Sequence, residues 1–338
     1  MSLPKSEPCP DENSAWQDAS PSEPLIKLLA EVAMSGYAFT TPTPLTHQRY
    51  VSQRSAVPAA SLRDIFGWNL NFAPQLLTPG MLRAMRDAAI LSEGDFPRSA
   101  VRIASIEGDL FLHSSFPTDA ANSVFFGPDT YRFVSFLRQA RCFSAMNAGR
   151  VHEPIRVLDI GCGSGAGGLI AGRILDGLVR PYRITLTDIN PLALLYSKVN
   201  AAVAGIPVTV ACSDGLSAVR GEFDLIISNP PYLYDDSQRA YRHGGAGLGR
   251  DLSVRFLKEA LPRLAPGGEL LLYTGVAIVD GVDPFFREIM PLIGAQGYLW
   301  CYREIDPDVF SEELTRPIYQ HADRIAVVGL TVSRVSTG

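Results

Sequence analysis

The sequence predicts an α/β protein: a seven-stranded, mostly parallel sheet covered by helices on both faces, preceded by a smaller helical unit with one β-hairpin. Three observations carry that expectation. From Ile155 onward, short apolar runs alternate with helical patterns. One such run, Ile155-Arg156-Val157-Leu158-Asp159-Ile160, leads directly into Gly161-Cys162-Gly163-Ser164-Gly165-Ala166-Gly167-Gly168 and a helical pattern through Leu175. Another, Phe223-Asp224-Leu225-Ile226-Ile227-Ser228, stops at Asn229-Pro230-Pro231-Tyr232.

Residues 1–24 are rich in Pro, Ser and acids and lack an apolar core, so they read as a disordered tail rather than a signal peptide. Pro24 to Met34 is amphipathic, and Ala60 to Phe66 and Gly80 to Leu91 favour helix. Val101–Ile106 and Asp109–His113 read as a hairpin about Glu107-Gly108. Three helices and a hairpin suggest a winged-helix-like module. From the glycine turn onward the expected elements are strand 183–187, helix 191–204, strands 206–211 and 223–228, helix 252–264, strand 269–274, helix 283–295 and strands 298–304 and 324–333.

Strand, glycine turn and helix together make a nucleotide cradle: glycines permit positive φ and bare-backbone contact, and the helix start offers free N–H groups. Gly163, Gly165 and Gly168 also satisfy the spacing of a dinucleotide fingerprint. Asp159 argues against that reading, because a carboxylate just before the turn repels a pyrophosphate but suits a ligand carrying an ammonium and a sulfonium. Asp188 falls roughly 20 residues past the last glycine, where a carboxylate accepts from ribose hydroxyls. Asp214, after Val208-Thr209-Val210-Ala211, is a candidate acceptor for an adenine amine, with a turn or cap residue as the plain alternative.

The Asn229 turn has its own chemistry. Pro230 and Pro231 fix φ and carry no N–H, so the turn is stiff and lined with acceptors. The Asn229 side-chain oxygen and the Pro230 carbonyl can each take one hydrogen of a flat NH2 group, and Tyr232 can stack on the plane to which that group belongs. Both motifs should meet at the carboxyl ends of the first and fourth strands, where a sheet of this kind reverses its order.

Val157 to Gly168 resembles the first motif of class I S-adenosylmethionine-dependent methyltransferases, a Rossmann-like fold, with Asp188 and Asp214 at that family's second and third acidic positions. The last two strands, with Asp306 to Leu314 between them, resemble the closing antiparallel hairpin of the same family. The resemblance implies cofactor contacts from Asp159, Gly161, Gly163, Gly165, Asp188, Ile189, Asp214, Gly215 and Asn229. Asn229-Pro230-Pro231-Tyr232 is similar to the element of members that methylate planar amino nitrogens, and these four positions are the implied catalytic set. Phe125 to Phe133 resembles the segment that closes over the cofactor in release-factor glutamine methyltransferases, which adds Pro128 and Thr130. The implied acceptor is glutamine in a peptide-chain release factor; an RNA or DNA base amine is the alternative, and a non-catalytic nucleotide-binding scaffold a third. Residues 25–120 would then recognise substrate, and 121–338 would form the catalytic domain.

Composition bounds these readings. The 338 residues are 46% hydrophobic and carry a net charge of −5. That charge is uneven, about −4 over 1–24, about +3 over 25–150 and about −4 over 151–338, so no segment is a strong polyanion binder. Five cysteines without a C-x-x-C pair argue against a disulfide framework or a zinc site, and a cytoplasmic protein without metal is expected. No apolar stretch reaches the ~18 residues of a membrane span. Arg242 to Asp251 is glycine-rich, either a surface connection or a gate over the site. Cys162 reads as a small residue filling a tight turn.

Overall fold

The computed structural model describes residues 22–54, 58–143, 153–294 and 297–335. Most of the expected tail therefore lies outside the described residues, and its last positions, Ser22 to Pro24, form the first turn of helix α1 (Ser22–Met34). Leu25, Leu28, Leu29 and Val32 are buried along one stripe of α1, the i, i+3, i+4, i+7 spacing of an amphipathic helix. Helix α2 (Pro44–Ser52) was not legible in the sequence pattern. It starts at Thr43, whose hydroxyl accepts from the Thr46 N–H, with Pro44 at the first helical position. The helix expected at 60–66 is a single wide turn, Arg63–Gly67, and α3 (Pro79–Asp87) ends before Leu91. Strands β1 (Val101–Ile106) and β2 (Asp109–Ser114) pair antiparallel about Glu107 and Gly108, both at positive φ as a two-residue hairpin turn requires.

After α4 (Pro128–Arg138) come β3 (Ile155–Ile160), α5 (Ala166–Gly177), β4 (Tyr182–Asp188), α6 (Pro191–Ala204), β5 (Val208–Cys212) and β6 (Phe223–Ser228). Then follow α7 (Asp251–Ala260), β7 (Leu264–Val279), α8 (Pro284–Ile293), β8 (Tyr298–Asp306) and β9 (Ala322–Arg334). The strands form one seven-stranded sheet in the order β5-β4-β3-β6-β7-β9-β8, in which β9 runs antiparallel to both neighbours. This is the expected Rossmann-like sheet, with the order reversing between β3 and β6.

Strand alternation sends Ile155, Val157, Leu225, Ile227, Leu271 and Tyr273 to one face, under α4 and α5. Leu158, Ile160, Ile226, Leu270 and Leu272 go to the other, under α7 and α8. Helix α6 has two partners: Leu194 and Ala201 join the sheet's core, while Ala193, Tyr196 and Val199 join that of the N-terminal unit. The hairpin is buried on both sides as well, Val101 and Ile103 facing the N-terminal core and Ala104 and Ile106 the sheet's. Among the described residues no helix is long and apolar enough to cross a membrane, and no group of three or more His, Cys, Asp or Glu is placed to hold a metal ion.

Candidate active site

Strands β3 and β6 lie side by side in parallel register, and the Ser228 hydroxyl donates to the Ile160 carbonyl at 2.8 Å. The glycine turn and the Pro-Pro turn therefore leave the sheet at the same edge. Between them opens a cavity of about 200 Å³ lined by Asp159, Gly161, Gly163, Asp188, Ile189, Asp214, Gly215, Thr130 and all of Asn229 to Tyr232.

Gly161 and Gly163 have φ of +68° and +53°, a region that favours glycine, and carry the chain around the cavity floor. Asp159 is buried, and its Oδ2 accepts from the Gly168 N–H at 2.8 Å. Burial pushes its carboxyl up to about 7, with the Gly168 N–H opposing and Asp188 adding to the rise. Asp188 takes the Gly163 N–H on Oδ2 at 2.9 Å and the Asn190 N–H on Oδ1 at 2.8 Å. It thus pins the glycine turn to the end of β4 while keeping lone pairs for a ligand. Burial raises its carboxyl too, against those donors.

Two expected residues sit outside the cavity lining. Gly165 caps α5 at φ +81°, and a Cβ there would stand 2.9 Å from that of Ser197, so this glycine serves the close approach of α5 to α6. Pro128 occupies the first position of α4, a place that tolerates a missing N–H. Asp214 does line the cavity, but Arg255 occupies its carboxylate, Nη1 to Oδ2 at 3.0 Å and Nη2 to Oδ1, and holds it below the usual carboxylate range. The acceptor expected for an amine is therefore already shared with a guanidinium.

Tyr232 departs furthest from expectation. It is only 7% exposed, its ring lies against β7 where a Cβ on Gly275 would be 2.2 Å away, and Phe310 meets it edge-on at 6.0 Å. A ring packed this tightly forms a wall of the cavity rather than a free stacking plate.

The glycine-rich segment after the motif packs its backbone onto the turn. The Gly244 N–H donates to the Leu233 carbonyl at 2.7 Å, and the Leu252 N–H to the Gly244 carbonyl at 2.9 Å. A Cβ on Gly244 would meet the Gly249 carbonyl oxygen at 1.9 Å and the Pro231 carbonyl oxygen at 2.7 Å; one on Gly249 would meet the Tyr232 oxygen at 2.3 Å. Glycine is needed here for closeness. Further cavity residues that the sequence reading did not single out are Asp129, Arg255, Phe256 and Tyr241. Asp129 stood inside the quoted Pro128–Thr130 segment; the others have no local signature.

Residues 145–277 match the model of the methyltransferase small domain. Over that stretch the chain is similar to the methyltransferase class. Among similar proteins, the release factor glutamine methyltransferase of Deinococcus radiodurans is 38% identical over 135 residues, 36% of this chain and 46% of that protein. That of Koribacter versatilis is 34% identical over 145 residues, 39% and 50% of the two chains. The ribosomal RNA small subunit methyltransferase C of Erwinia tasmaniensis is 34% identical over 119 residues, 35% and 31%. The chain spans half the length of these relatives or less.

Proposed function

We propose that the protein transfers a methyl group from S-adenosylmethionine to a planar amino nitrogen, with the side-chain amide of a protein glutamine as acceptor. The observation that carries this reading is the meeting, around one cavity, of a buried carboxylate, Asp159, and a half-buried one, Asp188, on the glycine-turn side and Asn229-Pro230-Pro231-Tyr232 on the other. The donor set fits that cofactor. Asp159, a carboxylate kept by burial at a pKa of about 7, is stabilised by an ammonium group, and Asp188 has acceptors for ribose hydroxyls. When bound, the cofactor supplies an electrophilic sulfonium methyl.

The chain's own residues do the rest by holding groups in place. Asn229 Oδ1 and the Pro230 carbonyl accept the two hydrogens of the incoming NH2, which concentrates electron density on a nitrogen whose lone pair is otherwise delocalised. The prolines offer no N–H that would compete for those acceptors. The proton is lost after transfer, so no histidine is needed.

Residues 25–120, whose hairpin and α1 pack on α6, are assigned to acceptor recognition, because the segment just beyond them lines the cavity. Ser123, Val124 and Phe125 line the cavity, and the Tyr241 hydroxyl donates to the Thr118 carbonyl. The second reading, an RNA base amine as acceptor, is supported by the name of the Erwinia relative. It is disfavoured by the lack of a strongly basic segment, since the middle of the chain carries only about +3.

The test is incubation with methyl-labelled S-adenosylmethionine and separated protein and RNA fractions. Label in a release factor, removed by Gln→Asn in its glutamine acceptor, is the expected result. Label in RNA alone would replace the acceptor. A thermal shift with a nicotinamide dinucleotide and none with S-adenosylmethionine would overturn the reading.

A further inference from the structure

Glycines impose little shape of their own, so a turn with positive φ at Gly161, Gly163 and Gly165 keeps one conformation only where hydrogen bonds hold it. Three such bonds come from the turn and the end of β4: the Cys162 N–H donates to the Thr187 carbonyl at 2.8 Å, the Gly163 N–H to Asp188, and the Gly165 N–H to the Cys162 carbonyl at 2.8 Å. Another comes from farther away. Asn200, a fully buried residue of α6, donates through Nδ2 to the Ser164 carbonyl at 2.9 Å.

The rest of that side chain belongs to the N-terminal unit. Asn200 Oδ1 accepts from the Leu112 N–H at 2.8 Å, and Nδ2 donates to the Leu112 carbonyl at 3.2 Å. Among the described residues β2 has β1 as its only strand partner, so at Leu112 its outer edge is paired by an asparagine instead of a strand. The Leu112 N–H requires the oxygen of the amide, and the Leu112 and Ser164 carbonyls require its nitrogen, which fixes one of the two orientations an asparagine can take. The Ser164–Gly165 peptide is thus held on its carbonyl side by Asn200 and on its N–H side by Cys162, and Ser164 lines the cavity beside Gly163.

We propose that Asn200 is a positioning residue for the cofactor: oriented by Leu112 of the hairpin, it holds the Ser164–Gly165 peptide, and with it the glycine turn, in the shape that receives S-adenosylmethionine. This rests on the cofactor side of the reading above and gives the N-terminal unit a second role beside acceptor recognition. Cofactor binding and hairpin order are then linked in both directions, because Asn200 bonds to both. The unit stays docked without Asn200. Arg173 of α5 clasps Asp109 at the start of β2, Nε to Oδ2 at 2.9 Å and Nη2 to Oδ1 at 2.6 Å, and its Nη2 also reaches the Ala204 carbonyl at 2.7 Å. An asparagine that served only packing would lower stability and leave cofactor affinity alone.

The experiment compares the full wild-type chain with Asn200→Ala by calorimetry with S-adenosylmethionine and by amide hydrogen exchange. Val332→Ala, which opens a cavity in the core on the sheet face away from α5, is the destabilised control. Asn200→Ala should weaken cofactor binding about 3- to 10-fold, the net contribution of one hydrogen bond. It should also speed exchange at the Gly163 and Gly165 amides at least ~5-fold over the control. Saturating cofactor should slow exchange across residues 109–114 at least ~3-fold in the wild-type chain and leave it unchanged in Asn200→Ala. If the alanine variant does not fold, Asn200→Asp takes its place, since it keeps an oxygen for the Leu112 N–H and loses the donor to Ser164; the same fall in affinity is expected. Cofactor affinity within about twofold of wild type, turn amides exchanging no faster than in Val332→Ala, or a wild-type hairpin that ignores bound cofactor would overturn the role. If the wild-type chain binds no S-adenosylmethionine, the Gly163 and Gly165 amides still decide whether Asn200 holds the turn, and only the cofactor reading falls.

Discussion

Gly244→Ala is the sharpest perturbation of the segment that follows the Pro-Pro turn. Gly244 is buried with φ outside the positive region, so an alanine there meets no conformational penalty of its own and acts only through space. Its Cβ would stand 1.9 Å from the Gly249 oxygen and 2.7 Å from both the Pro231 oxygen and the Tyr232 Cα. All three are backbone atoms, so no rotamer change relieves the contact. Restoring the 3.0 Å that real Cβ contacts respect requires a backbone shift of more than 1 Å, shared between residue 249 and the Pro231-Tyr232 peptide. A displacement of about 1 Å at a group that aligns reactants costs on the order of 100-fold in rate. The expected result is therefore a kcat lower by roughly 30- to 300-fold with calorimetric S-adenosylmethionine affinity little changed, because the glycine-turn side is not touched. Gly177→Ala, where a Cβ meets nothing within 4 Å, serves as the control and should leave both quantities at wild-type values. A Gly244→Ala protein that melts like wild type and turns over within threefold of it would refute the view that this segment buttresses the turn.

Further consequences concern the site's charges and the N-terminal unit. Asn229→Ala should cut turnover by at least ~100-fold and leave cofactor binding nearly intact, read by single-turnover methyl transfer beside calorimetry. Asp188→Ala should weaken cofactor binding first, since it removes ribose acceptors and frees the Gly163 N–H it now holds; unchanged Kd would exclude the role. The Asp159 carboxyl, pushed up to about 7 by burial, must be ionised to meet an ammonium, so cofactor affinity should fall by up to about tenfold per pH unit below pH 7, with a flat profile in Asp159→Asn. Burial, with Arg102 nearby, pushes His47 down to about 3 and holds His113 well below the ordinary histidine range. Both folded values lie beneath the unfolded one, so this stability is complete above about pH 6.5 and declines as pH falls toward 3, by at most ~1.4 kcal/mol per unit for each histidine. Urea midpoints at pH 8 and pH 5 should converge more closely in His47→Gln than in wild type; equal drops would contradict the assignment.

The strands that carry the site were legible almost to the residue, and the reason is local. β3 and β6 are short apolar runs bounded by glycines and prolines, and the observed limits, Ile155–Ile160 and Phe223–Ser228, are those the sequence predicts. α2 escaped because only His47 of its nine residues is buried, which leaves no apolar stripe to read. β7 runs for 16 residues where six were expected: at its start Pro266-Gly267-Gly268 reads as a turn and instead continues along β6 through a register shift, and at its end Gly275 to Val279 stay paired with β9. The same divide runs through the cavity. Motifs with fixed backbone geometry announced themselves: the positive-φ glycines, the paired prolines, the carboxylates at strand ends. The unannounced residues act on those motifs from a distance in sequence. Asp129 joins Asn229 in the cavity lining from 100 positions earlier, Arg255 occupies Asp214 from a helix, Gly275 lets β7 press against the Tyr232 ring, and Gly244 and Gly249 clamp the turn. Local sequence encodes which groups are present at the cavity, because φ restrictions and strand periodicity are properties of neighbours along the chain. Which way those groups point depends on packing between elements, and this is why Asn229 could be named from the sequence while the residues that pack around its turn, Gly244 and Gly249, could not.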